Sequence, residues 1–431
     1  MKGFKFSVGL VAASMLLCGV DASAQQRKSE ELYRTRLIPY PTEAAATAGA
    51  MERQRYMQPI EEWIEVDGAL RGEFTFPFSW LERQVFIRVE GVAQPYELFV
   101  NGKRAGGSTN GFSAAEYNIT KISKEDKNRV ELRLAGGDDV AAIECFEKSA
   151  PRPMAYIISQ PRVRVRDIAY RANIDYGIVN ADFSVVMHNE TLGKKCSRLY
   201  YELYLNDTLR LDAGTRDVEL GMYGVDTMRF GAPVPDSLLW SGESPTRLSL
   251  RLKNRIEGRD VEFYNIAVAL RELEYENGGF VVNNKACDMA WRELSPNTTI
   301  VELERLYDEG VRAVRFTAGA VKDEVLSFCD SKGIYVAITA PINSSKAGES
   351  RKRGGNPSND PKWRKEYVER TTQMIHTTKR HPSVVVYYLA DDSANGICLY
   401  ESYLAAKNIT DIPIFYDDGG KEWNSDNREF R

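Results

Sequence analysis

The chain has 431 residues, 43% apolar and 27% charged, an ordinary globular composition with room for two or three domains with real cores. Its 57 basic and 61 acidic residues leave a net charge of −4, so nothing broad in its electrostatics attracts nucleic acid or an anionic membrane. A neutral partner is expected.

At the N-terminus, Lys2 and Lys5 precede an apolar run from Phe6 to Val20 and then Ala22-Ser23-Ala24 before Gln25. Charge, apolar stretch and small residues in that order read as a secretory signal peptide over residues 1–24. The mature protein is therefore expected to be exported, periplasmic or extracellular. Cys18 in LLCG suggests a lipoprotein alternative, which the bulky Leu17 disfavours. No later run approaches the roughly 20 apolar residues of a membrane span. Cys145, Cys196, Cys287, Cys329 and Cys398 are scattered and include no CxxC pair, which predicts mostly buried thiols rather than a metal cluster or disulfide framework.

From Trp63 to about Asp139 the runs GEFTFPF, VFIRVEGV, YELFVNG, EYNITKI and RVELRLAGG predict short strands, with Asn101-Gly102 as a hairpin turn. Residues 25–160 are assigned to this first β domain. Pro151, Pro153 and Pro161 mark a junction, and 161–271 follow as a second sandwich, with RVRVRDIAYRA, NADFSVVMHN, YYELYL, TRLSLRLKN and EFYNIAVALREL alternating. Its length suits an immunoglobulin-like domain. After Glu272 the pattern changes. TIVELERLYDEG, VKDEVLSFCDSKG, KWRKEYVERTTQMIHTTKR and LYESYLAAKN read as helices, interleaved with the strands VRAVRFT, IYVAITAP, SVVVYYLA and PIFYD. That alternation predicts about four parallel βα units after an opening strand, over 272–431.

These segments resemble, in order, the β-galactosidase and β-glucuronidase relatives of glycoside hydrolase family 2. The resemblance is carried by SWLERQVFIRVEGV with YELFVNGKRAGGSTNGFSAAEYNIT, by PRVRVRDI, LWSGESPTRLSLRL and ALREL, and by DEGVRAVRFTA, CDSKGIYV, NDPKWRKEYVERTTQMI, RHPSVVVYYLADDS and IPIFYDDGG. It implies a jelly roll over 25–160, an immunoglobulin-like sandwich over 161–271 and a partial TIM-type barrel over 272–431. A complete barrel takes about 250 residues, whereas Glu272 to Arg431 supplies 160. The expectation is a half barrel whose open edges are rearranged, completed by a partner or second copy, or continued in a longer gene product.

A retaining glycosidase holds an acid/base carboxyl and a nucleophilic carboxylate about 5–5.5 Å apart. The resemblance places Asp392 on the family's acid/base Glu, Asp391 on the Asn before it, and Arg315 on a matching substrate-side position. Aspartate is shorter by a methylene, roughly 1 Å of reach, which costs on the order of 10²-fold in rate. Asp391 adds a second carboxylate, which would raise one of the two pKa values. Ala318-Gly319-Ala320 stands in place of His-Tyr-Pro, and Pro341-Ile342-Asn343-Ser344-Ser345-Lys346 in place of a magnesium-binding segment, so neither a metal nor any other cofactor is expected. Glu422 and Glu429 lack the strand context of the nucleophile.

The leading expectation is thus an exported, catalytically degenerate relative that binds glycan or serves in assembly. A weak β-glycosidase using Asp392, and a purely structural module docking a protein partner, are the alternatives. Trp80, Tyr96 and Phe112 are candidate sugar platforms, although their strand-like positions favour core packing. Among the histidines His188, His376 and His381 no pair has metal-ligand spacing, and His381 is expected to cap or orient the strand after HPSV. GGSTNG reads as a turn rather than a phosphate loop, and NNKAC and KNIT as plain surface.

Overall fold

The structure is a computed structural model describing residues 32–49, 54–135, 138–148, 151–175, 177–352, 354–417 and 425–427. The signal-peptide segment, Glu422 and Glu429 lie outside the described residues.

The first β region is two antiparallel sheets around one core. One runs in the order Ile64–Val66, Ala69–Phe76, Asp126–Leu134, Tyr96–Val100, Lys103–Ser108; the other Met57–Pro59, Met154–Gln160, Gln84–Glu90, Ala115–Asn118. Alternation along each strand turns one face inward, so that Leu98, Val100, Val130, Leu132, Ile87 and Ile157 meet between the sheets. Asn101 and Gly102 both take positive φ, 51° and 77°, as the hairpin requires. Trp80 and Tyr96 are buried in this core and offer no sugar platform.

The second region pairs a three-stranded sheet (Val163–Asp175, Ile178–Asn189, Val225–Pro233) with a four-stranded one (Leu209–Leu220, Lys195–Leu205, Leu248–Ile256, Arg259–Val268). Between them Tyr201, Phe230 and Phe183 stack in sequence, with centroids 3.9 and 5.0 Å apart.

Before the parallel sheet comes an antiparallel meander, Leu273–Glu276, Gly279–Val282 and Lys285–Cys287. The reading of strand and helix alternation directly after Glu272 leaves it out, and NNKAC proves to be its second turn and last strand. The parallel sheet follows in sequential order: β1 (Trp291–Leu294), β2 (Ala313–Phe316), β3 (Tyr335–Thr339), β4 (Val384–Tyr388) and β5 (Ile414–Phe415). Helices α1 (Ile300–Asp308), α2 (Asp323–Lys332), α3 (Arg364–Thr378) and α4 (Ile397–Lys407) connect them. The central strands β3 and β4 are buried along their whole length, whereas β1 at the edge is half-buried to exposed. A capping box between Thr299 and Glu302 starts α1.

One face of the sheet packs against α2, α3 and α4 through Val336, Ile338, Tyr387, Leu326 and Leu399. The other is filled by the meander. Tyr275 lies 4.8 Å from Phe280 and 4.9 Å from Phe415, and Phe280 lies edge-on to Trp291 at 6.1 Å.

Contacts from both sandwiches hold them on this sheet. Trp240, in LWSG, is fully buried and donates from Nε1 to Asp330 O at 2.8 Å, while Gly242 N donates to the Tyr335 hydroxyl at 3.0 Å. On the first sandwich, Glu144 bonds Arg370 of α3 at 2.5 Å and forms a bridge with Asn343. Asn110 donates to Gln373 at 3.0 Å, and Phe112 packs on Phe146 at 5.6 Å. With Arg370 of α3 also over its ring, 5.4 Å from the centroid, Phe112 is a domain-contact residue rather than a free platform.

Candidate functional site

Parallel βα units gather loops at the C-terminal ends of their strands, where side chains from several strands converge. Here β1 and β2 pair Glu293 beside Arg315. Arg315 lies over the Tyr388 ring of β4, 3.8 Å from its centroid. Its Nη1 donates to Asp417 Oδ2, just beyond β5, at 2.7 Å, and Nη2 stands 3.7 Å from Asp391 Oδ1. One guanidinium therefore bridges two carboxylates.

Asp391 is half-buried, and its Oδ2 accepts from Ala318 N at 2.6 Å. Burial, reinforced by the charges of Glu293 and Asp417, pushes its carboxyl up to about 6, against the pull of the Ala318 amide and Arg315. The expectation of a raised carboxyl from paired aspartates meets a different cause: the neighbouring charges that matter are Glu293 and Asp417, not Asp392. Burial likewise pushes the Tyr388 hydroxyl up to about 12, helped by Asp417.

Asp392 is exposed, and its main-chain oxygen accepts from Ser344 N at 3.0 Å. The loops after β3 and β4 are tied together beneath it. Ser344 Oγ is 2.8 Å from Asn356 Oδ1 and 2.5 Å from Ser393 Oγ, with Tyr367 OH 3.3 Å from Ser393. No periodicity or motif in the sequence signals this hub; only the fold brings Ser344, Asn356, Tyr367 and Ser393 together. Glu293 and Asp417 were also missed. Asp417 had one signal, its place at the end of the predicted strand PIFYD, and Glu293 had none, since the opening strand was not located.

The segment in the place of the magnesium-binding loop does not fit a metal. Asn343 Oδ1 is taken by Ser345 N at 3.0 Å and Ser345 Oγ at 2.7 Å, a local turn that occupies the one amide oxygen available, and Lys346 follows. Beside the site lies a cleft of about 240 Å³, lined by Phe146 and Glu147 of the first sandwich's exit loop, Glu293 to Pro296 after β1, and Thr317 and Ala318 after β2.

A parallel sheet in barrel order, carrying an acid-rich mouth at its C-terminal end and preceded by two β sandwiches, defines a β-sandwich protein with a TIM-barrel-type segment. Residues 289–422 match the glycosyl hydrolases family 2 TIM barrel domain. The chain is 23% identical over 373 residues to a β-galactosidase of Priestia megaterium, and 25% over 385 residues to one of Yersinia enterocolitica, covering 80% and 82% of this chain. It spans only 36% of the length of each of those relatives. In structure it superposes on β-glucuronidases of Bacteroides uniformis (TM-score 0.67, 15% identity, covering 89% of this chain and 52% of that one) and Dictyoglomus thermophilum (TM-score 0.67, 16% identity, covering 85% and 73%). The chain is a glycoside hydrolase family 2 relative.

Proposed function

We propose that this chain is an exported, catalytically degenerate family 2 relative, with a jelly-roll-like and an immunoglobulin-like sandwich beside its barrel segment, that holds a neutral glycan at the barrel mouth without cleaving it. The observation that carries the reading is the Arg315 bridge between Asp391 and Asp417. Double displacement requires two carboxyls facing across the scissile bond with the anomeric carbon between them. Here a guanidinium stands between the two acids, bonded to Asp417 at 2.7 Å and 3.7 Å from Asp391, where the anomeric carbon would have to lie. What remains is a set of donors and acceptors, Arg315, Asp417, Glu293 and the Ala318 loop, suited to sugar hydroxyls.

The purified chain should bind neutral β-linked oligosaccharides on a glycan array, with Arg315→Ala weakening binding about tenfold or more, the scale of a lost charge-assisted hydrogen bond. A panel of aryl β-glycosides should give no turnover. A second reading, a weak β-glycosidase, is favoured by one feature, the raised carboxyl of Asp391, which could deliver a proton near neutral pH. Turnover lost in Asp391→Asn or Asp392→Ala would establish it and overturn the first.

A further inference from the structure

At the opposite end of the parallel sheet, a cleft of about 1030 Å³ lies between the three-stranded sheet of the second sandwich and the segments leading into β4 and β5. Seven Lys or Arg line it against three Asp or Glu, although acids outnumber bases in the whole chain, 61 to 57. Arg171, Arg216 and Arg229 come from the sandwich and are exposed. Lys379, Arg380 and Lys407 line the barrel side. The KNIT stretch, unremarkable as sequence, supplies Lys407 to Thr410 of this wall.

Part of the charge is held internally. Lys379 pairs with Asp167 at 2.5 Å and Lys407 with Asp426 at 3.1 Å. Arg271 is spent on the carbonyls of Pro382 and Val384, both at 2.6 Å. Arg171 has only long contacts, 3.5 Å to Asp182 and 4.0 Å to Asp411. Arg216 donates to the main-chain oxygen of Thr215 at 2.8 Å, and Arg229 stands opposite Ser184 on the neighbouring strand. A cleft with this excess of one sign concentrates field on an anion, and guanidinium forks match carboxylate and sulfate geometry.

We propose that this cleft binds the carboxylate or sulfate groups of an acidic oligosaccharide, giving the chain a second, charge-reading site far from the mouth. The anionic character rests on the cleft alone; that the anion is a carbohydrate rests on the glycan-binding reading above. The volume reaches the upper end of the roughly 300–1,000 Å³ usual for small-ligand sites, room for an oligomer. Asn173, Ser184, Asn408 and Thr410 add neutral groups for hydroxyls. Phe183 and Phe230 are buried, so they form no platform for stacked nucleobases. The mouth, edged by Glu147, Glu293 and Asp417, repels the same ligand.

The test is calorimetric titration with tetragalacturonate and a sulfated heparin tetrasaccharide, alongside neutral galactotetraose, polyglutamate and a single-stranded DNA of comparable charge. The acidic saccharides should bind, about tenfold more weakly on going from roughly 50 to 500 mM salt, and the tighter of the two names the anionic group. The double variant Arg216→Glu/Arg229→Glu should lose affinity about tenfold or more at unchanged melting temperature, while galactotetraose binding stays as in the parent. Undiminished binding by that variant, or polyglutamate or DNA binding as tightly as the saccharides, would overturn the proposal. Galactotetraose binding without acidic-saccharide binding would remove this site and spare the mouth; the reverse would remove the mouth reading and spare this one.

Discussion

Asp391 carries the most informative chemistry of any single residue. Its folded carboxyl titrates near 6 against 3.8 in the unfolded chain, so the folded state holds a proton that the unfolded state has released. Stability therefore falls as pH rises from about 4 to about 6, and the penalty persists above that range. Asp391→Asn should raise stability at pH 7 by on the order of 1–3 kcal/mol and flatten the profile between pH 4 and 6, as urea titrations at several pH values would record. A gain in stability at a site position is the signature of a group retained for something other than folding. Arg315 and Asp391 were legible in the sequence as candidates because they fall on strand ends in matched segments. Asp417 and Glu293 were not, because a carboxylate acquires meaning only when the fold sets a guanidinium beside it.

At the scale of the element, the turn before β4 is held by a buried polar latch. His381 Nδ1 is 2.7 Å from Asp330 Oδ2, and Asp330 Oδ1 accepts from Ser383 Oγ at 2.6 Å. Burial opposes a charged imidazole, yet the bonds to Asp323 and Asp330 push it up to about 9. Its contribution is fully present below the ordinary histidine value near 6.5 and is lost as pH rises through about 9. His381→Ala should cost about 3 kcal/mol at pH 6, with the difference from the parent closing above pH 9 in thermal melts. Sequence reading assigned His381 to orienting the strand, but the partners that do so lie 51 and 58 positions away. The meander at 273–287 shows the opposite failing. Its turns carry Asn277-Gly278 and Asn283-Asn284, all at positive φ, a hairpin signal of the same kind as Asn101-Gly102, passed over because the surrounding strands are short.

Across the whole molecule, the second sandwich and the parallel sheet meet where two backbones almost touch. Gly333, at φ 71°, ends α2 against the Gly242 carbonyl, and a Cβ on Gly242 would come within 2.8 Å of the Tyr335 ring. Gly333→Ala combines a left-handed backbone penalty of roughly 1–2 kcal/mol with displacement of the Trp240 loop. It should lower the melting temperature by several degrees, more than the same change at the open position Gly258. LWSG and CDSKGIYV were both recognisable as motifs, but nothing in either showed that they bind each other; that follows only from the domain arrangement.

The aromatic layer of Tyr275, Phe280, Trp291 and Phe415 bears on how this scaffold could change its ligand. With the inner side of the sheet solid rather than hollow, a sugar has no lumen to enter and is met only by the rim. On the glycan-holding proposal, ligand choice would lie with rim groups such as Arg315 and Asp417, which stand clear of that layer. A scaffold arranged in this way separates what keeps it folded from what it recognises.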